Sequence, residues 1–200
     1  MTATLSPDTP PEQSDRPASK VAGRILAAVI VLSCLIVGAM WVYYFFGASD
    51  QGVYQLQDKT WREKAAVVCK AAQKERQGLA NTTGGYIANP TKEQMAQRAD
   101  IVDKATDILD TMLADIVAIP VATDRDQLLL SSFDEKYKMV IADRRRYAAS
   151  LRAGKLVPYT ETLLGGGPIT NVVEDFTAGV KGNNIPSCSP PNELGGDIKP

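Results

Sequence analysis

The chain has 200 residues, with 22 basic and 23 acidic side chains and a formal net charge of −1. So balanced a count gives no field of the kind that gathers nucleic acid. The absence of histidine removes the usual general base at neutral pH, the commonest metal ligand and the ordinary Ser/His and Cys/His nucleophile pairs, so no enzyme activity, cofactor, metal or nucleic-acid partner is expected.

Residues 1–20 carry Pro7, Pro10, Pro11 and Pro17 among Ser, Thr, Asp and Gln. That composition buries too little surface to fold, so a disordered cytoplasmic tail is expected. Residues 21–49 read as a transmembrane helix. No charge interrupts Ile25 to Ser49, a run of roughly 37 Å at ~1.5 Å per residue against a hydrocarbon core of ~30 Å. Lys20 and Arg24 precede the run and Asp50 follows it, so the positive-inside bias puts the N-terminus in the cytoplasm and everything after Asp50 outside. The expectation is a single-pass protein of the cell membrane, with the bilayer as its first partner. Trp41, Tyr43, Tyr44, Phe45 and Phe46 suit the outer interface.

A cleaved signal peptide fits this run less well, because such apolar regions are about 7–15 residues long and end in small side chains. A cut after Ala48 would leave Phe46 three residues upstream. Val31-Leu32-Ser33-Cys34 resembles a lipobox, but Leu32 is bulky there, and a mature lipoprotein would begin with apolar residues where a polar tether belongs. Cys34 reads more simply as a small lipid-facing side chain.

Residues 50–188 show apolar positions at helical spacing and no strand-like alternation. The fold class is all-α, with a single N-terminal transmembrane helix followed by a four-helix, up-down bundle. The first helix, about Gln57 to Ala80, places Trp61, Ala65, Val68, Ala72 and Leu79 on one stripe and stops at Asn81-Thr82-Thr83-Gly84-Gly85. The second opens at Asn89-Pro90, a cap followed by proline in the first turn, and continues through Met95, Ala99, Val102, Leu109, Leu113 and Ile116 towards Pro120.

The third helix, from Thr123 or Asp124 to Ala153, steps Leu130, Phe133, Tyr137, Val140, Arg144, Tyr147, Leu151 and closes at Gly154. Tyr159 to Leu164 suggests a further helical turn, and Gly165-Gly166-Gly167 a flexible hinge. The fourth helix runs from Ile169 to Lys181 with Val173, Phe176 and Val180 inward. Residues 189–200 look like a loose, disordered C-terminal tail.

Cys69 and Cys188 both fall in the outer domain, where an oxidising compartment lets thiols pair, so one disulfide between them is expected. Cys69-Lys70-Ala71-Ala72-Gln73-Lys74-Glu75, with a lone cysteine after the last helix, resembles the small extracytoplasmic helical proteins of actinobacteria, many of them lipoproteins. The likeness covers about Trp61 to Cys188. It implies the bundle and the disulfide, and it supplies no activity. The chain departs from that pattern in using a transmembrane helix as its anchor.

Two side chains break the apolar seams. Arg144 stands between Val140 and Tyr147, and Glu75 precedes Leu79 where the first helix asks for an apolar residue. A buried unpaired charge costs several kcal/mol, so either the two long stems reach water or they find partners; Arg144 with Glu75 is the candidate buried pair. Trp61, Thr106, Tyr137 and Tyr147 are the candidate lining of a pocket around them. Asp100, Asp103, Asp107 and Asp110 share one side of the second helix beside its apolar stripe and read as a solvated face, while Arg145 and Arg146 are expected at most to pair with neighbouring acids. The functional expectation is an anchored helical module that binds or supports another envelope protein. The alternative is a small-ligand sensor or carrier with a pocket between helices.

Overall fold

A computed structural model describes residues 18–47, 52–80, 89–192 and 194. The expected N-terminal tail up to residue 17, the Asn81–Gly85 stop and most of the C-terminal tail lie outside these residues. The chain divides into two compact units, residues 1–50 and 51–200.

The described residues of the first unit form one helix, α1 (Ala18–Val42), ending in a π-helical turn, Tyr43–Gly47. The span Ala22–Phe45 is long and apolar enough to cross a membrane, with a mean hydropathy of 2.7 and no part of it buried inside the protein. Trp41 stacks on Phe45 at 5.6 Å and meets Tyr44 edge-on at 6.4 Å, so the aromatic residues form one cluster at the end of the span.

The second unit is mostly helical: α2 (Lys59–Ala80), α3 (Lys92–Val117), α4 (Asp124–Arg152) and α5 (Ile169–Thr177), with a short hairpin of β1 (Leu163–Leu164) and β2 (Gly167–Pro168) and a 3-10 turn at Pro186–Cys188. Each long helix starts on a side-chain cap. The Asp58 carboxylate accepts from the Trp61 N–H at 3.1 Å, and the Thr123 hydroxyl accepts from the Asp126 N–H at 3.1 Å. In α3 the cap is Thr91, reciprocated by Gln94, rather than the expected Asn89. The physical reason is that the Thr91–Gln94 pair satisfies two orphan N–H groups at once, whereas Asn89 lies in the left-handed region at φ 52°. At the far end of α4, Gly154 N–H bonds Leu151 O and Lys155 N–H bonds Ser150 O, the pair of backbone bonds that closes a helix through a left-handed glycine.

Packing joins α3 to α4, α2 to α3, α4 to α5 and α2 to the turn carrying Cys188. The disulfide Cys69–Cys188 is formed, with Cα atoms 5.0 Å apart across 119 residues of sequence. On the chain-entropy argument so long a loop contributes ~4–5 kcal/mol to stability.

Three expectations in the fourth quarter of the chain are corrected. Tyr159 to Leu164 has no helical turn and leads into the hairpin, because Asp143 and Ile169 draw its backbone into their own hydrogen bonds. Gly165-Gly166, with φ of 62° and 88°, form the hairpin's two-residue turn, a backbone shape that side chains other than glycine rarely adopt. Finally, α5 ends at Thr177 instead of Lys181, and Val180 is fully exposed instead of inward. The chain turns there so that Asn183 can return beneath the helix and bond Phe176 O. Beyond Cys188, Leu194 is buried at 3 % exposure, so the last segment is tied to the core at that residue.

Candidate functional site

The buried apolar side chains form two clusters. The larger joins Trp61, Ala65 and Cys69 of α2 to Leu109–Ile116 of α3, Leu130–Ile141 of α4 and Ile169–Phe176 of α5. The smaller holds Met95, Ala99, Val102, Tyr147, Ala148, Leu151 and Leu194. Along α3 and α4 the two are separated by a polar layer that includes Thr106, Asp143 and Arg144, all within 1 % exposure.

In that layer Arg144 Nε donates to Thr106 Oγ1 at 3.1 Å, and Thr106 Oγ1 donates to Val102 O at 2.6 Å. Asp143 accepts from the Thr162 N–H at 2.6 Å, from Thr162 Oγ1 at 2.8 Å and from the Arg146 guanidinium. Its carboxylate therefore fastens the 159–164 segment to α4. Glu161, on the same segment, accepts from the backbone and hydroxyl of Thr170 in the first turn of α5, where a negative charge is favoured. Tyr159 meets Tyr147 edge-on at 5.6 Å. Burial, and then the charge of Glu161, push its phenol up to about 12.

The structure does not bring the candidate pair together. Arg144 is buried, whereas Glu75 is exposed on α2 and borders an open groove of about 730 Å³ between α2 and α3. The reason is the helical fan: Glu75 turns off the stripe that carries Trp61, Ala65 and Cys69 into the core. Nor do the four candidate pocket residues share one surrounding. Trp61 and Tyr137 belong to the larger cluster, Tyr147 to the smaller, and Thr106 to the layer between. Trp61 is engaged on two sides, its Nε1 donating to Ile116 O at 3.0 Å and its ring meeting Phe176 edge-on at 6.2 Å.

The acids of α3 do more than face water. Asp107 and Asp110 hold Arg145 at 2.9 and 3.1 Å, and Asp100 and Asp103 hold Arg152, with the Asp100 bond at 2.8 Å. The pattern repeats every seven residues on both helices, which is the repeat of an antiparallel helix seam. Hydrogen bonding to Asp107, partly opposed by desolvation, raises the Arg145 guanidinium above its ordinary range, and Asp100 followed by Asp103 does the same for Arg152.

Two buried polar residues outside the expected set fix the segment that leads into α2. Asp126, fully buried, accepts from the Gln57 N–H at 3.1 and 3.0 Å and from the Asp58 N–H at 3.1 Å. Asn183, 1 % exposed, accepts from the Leu56 N–H at 2.9 Å and donates Nδ2 to Tyr54 O and Phe176 O, both at 3.0 Å. Arg125 adds bonds to Gln55 O at 3.0 Å and Val53 O at 3.3 Å. A signal for Asp126 was present in the sequence. It lies four residues before Leu130 and so continues the seam of α4 by one step. For Asn183, in a loop 127 residues from the backbone group it serves, no local signal exists.

Among the described residues no group of His, Cys, Asp and Glu side chains is arranged to hold a metal ion. No protein-family model matches the chain, and neither a curated protein nor a solved structure matches it.

Proposed function

We propose that the chain is a non-enzymatic single-pass membrane protein, N-terminus in the cytoplasm, whose extracytoplasmic four-helix bundle binds another protein of the cell envelope. The observation that carries this reading is the groove between α2 and α3. It is lined by apolar side chains, among them Val67, Ala71, Leu79, Ile108 and Met112, together with Glu75, Asp107, Asp115 and Lys104. An amphipathic helix with an apolar ridge and basic flanks has the matching chemistry. The extracytoplasmic side is supported by the Cys69–Cys188 bond, which suits an oxidising compartment, and by Lys20 and Arg24 ahead of the apolar span. The likeness to small actinobacterial envelope proteins belongs to the same proposal.

A photo-crosslinking side chain placed at Val67 in native membranes tests the groove. The expected result is one discrete protein adduct, absent when the probe sits at Leu163 and lost with Thr111→Arg. Adducts at both positions, or at neither, would reject the groove as the docking face. Protease added to intact cells should also remove the C-terminal unit, and its survival would reverse the proposed orientation.

The second reading, a small-ligand sensor or carrier, rests on the buried polar layer at Thr106, Asp143 and Arg144, where charge lies inside the core. It predicts that a small metabolite raises the melting temperature of the purified chain, and that Thr106→Val abolishes the rise while leaving the Val67 adduct intact.

A further inference from the structure

We propose that the part of the helical unit built from Gly52–Tyr54, Val180–Lys181 and the first turns of α4 is a bilayer-docking surface that rests its apolar side chains in the lipid headgroup layer. This rests on the reading of α1 as a membrane anchor. Val180 is 106 % exposed, Leu128 72 %, Val53 71 % and Tyr54 40 %. Single exposed apolar residues are ordinary on any protein surface, but a gathered set on a rigid support marks a contact surface.

The support is rigid because every piece is tied. A Cβ added to Gly52 would lie 1.8 Å from Lys181 O, so the two backbones touch and only glycine permits it. Arg125 holds Val53 O and Gln55 O, and Asn183 holds Tyr54 O. Leu128 lies one helical turn beyond Arg125 on the same face.

The covalent chain selects the occupant. Only residues 46–51 separate Phe45, the end of the apolar span, from Gly52. Fully extended, that connection reaches about 25 Å at ~3.3–3.6 Å per residue, so an anchored α1 keeps Gly52 close to the lipid surface. The side chains suit that layer, with aliphatic groups and a tyrosine flanked by the cationic ends of Arg125 and Lys181. Asp124 and Asp175, also exposed, offset those two charges. Apolar insertion is therefore the driving chemistry, and attraction to anionic lipid is not required.

The test uses the full chain with Cys34→Ser, reconstituted in phosphatidylcholine nanodiscs with or without brominated acyl chains. An environment-sensitive fluorophore is attached at Val180→Cys, at Val53→Cys or, as a control, at Leu163→Cys. Brominated lipid should quench the label at 180 and at 53 roughly twofold and leave the label at 163 unchanged, as interfacial burial of the first two requires. Equal quenching at all three positions, or none at 180 and 53, would overturn the proposal. So would quenching at 180 that appears only after phosphatidylserine is added, since that would make the contact electrostatic. Tryptophan emission reports the anchor separately, because Trp61 is fully buried in the helical unit and lipid can reach only Trp41. If brominated lipid fails to quench Trp41, the anchoring itself is wrong, whereas quenching of Trp41 without quenching at 180 overturns only the docking surface.

Discussion

Arg144 Nε–H donates a hydrogen bond to Thr106 Oγ1 at 3.1 Å, and the Thr106 hydroxyl donates to Val102 O at 2.6 Å. The order of the two bonds is forced, because a guanidinium can only donate and a main-chain carbonyl can only accept. Thr106 thus both accepts from the buried charge and closes back on its own helix. Thr106→Val keeps the shape and removes the acceptor. The expected loss is about 1.5–3 kcal/mol, the range for a hydrogen bond to a charged group, and Thr106→Ser should recover most of it. Urea denaturation followed by tryptophan emission measures both variants; equal losses for Val and Ser would mean the hydroxyl contributes nothing.

Asp126 accepts from both the Gln57 and the Asp58 N–H groups. Asp126→Ala removes these part-buried bonds, and should loosen residues 52–58 before the rest of the unit unfolds. Gly52→Ala should produce the same loosening from the other side, since its Cβ would collide with Lys181 O. The readout is the rate of chymotrypsin cleavage after Tyr54, expected to rise in both variants. An unchanged rate would show that the segment is held by something else.

The Cys69–Cys188 bond should be worth ~4–5 kcal/mol by chain entropy. The double variant Cys69→Ser/Cys188→Ser and the reduced native chain should shift the urea midpoint by the same amount. Agreement between them separates the loss of the crosslink from the effect of placing serine hydroxyls in the core.

Tyr159 sets a pH dependence. Its phenol is held up to about 12, against an ordinary value of 10.0, chiefly by burial. Between those values the folded chain keeps a proton that the unfolded chain has lost, so this contribution to stability is fully present below about pH 10 and declines as pH rises towards 12. Tyr159→Phe should flatten that part of the decline. Denaturation midpoints of the two proteins at about pH 9 and about pH 11 give the comparison, and parallel declines would remove Tyr159 as the cause.

Local chemistry in the sequence was enough for the apolar span, the helical class and the extents of α2 and α4. These depend on period, caps and stops within a turn or two, and Trp61, Ala65, Phe133 and Tyr137 are buried where the stripes put them. The seven-residue spacing of Asp100/Asp107, Asp103/Asp110 and Arg145/Arg152 was also written in the chain, but its meaning was not, because the spacing is equally that of a solvated face.

Only the tertiary structure decided what the polar residues do. The burial of Asp143 and Asn183, the separation of Arg144 from Glu75, and the outward turn of Val180 follow from which groups elsewhere in the chain, 19 residues away for Asp143 and 127 for Asn183, are left needing a hydrogen-bond partner after the helices have packed. That demand is created by the fold itself, so no window of sequence contains it.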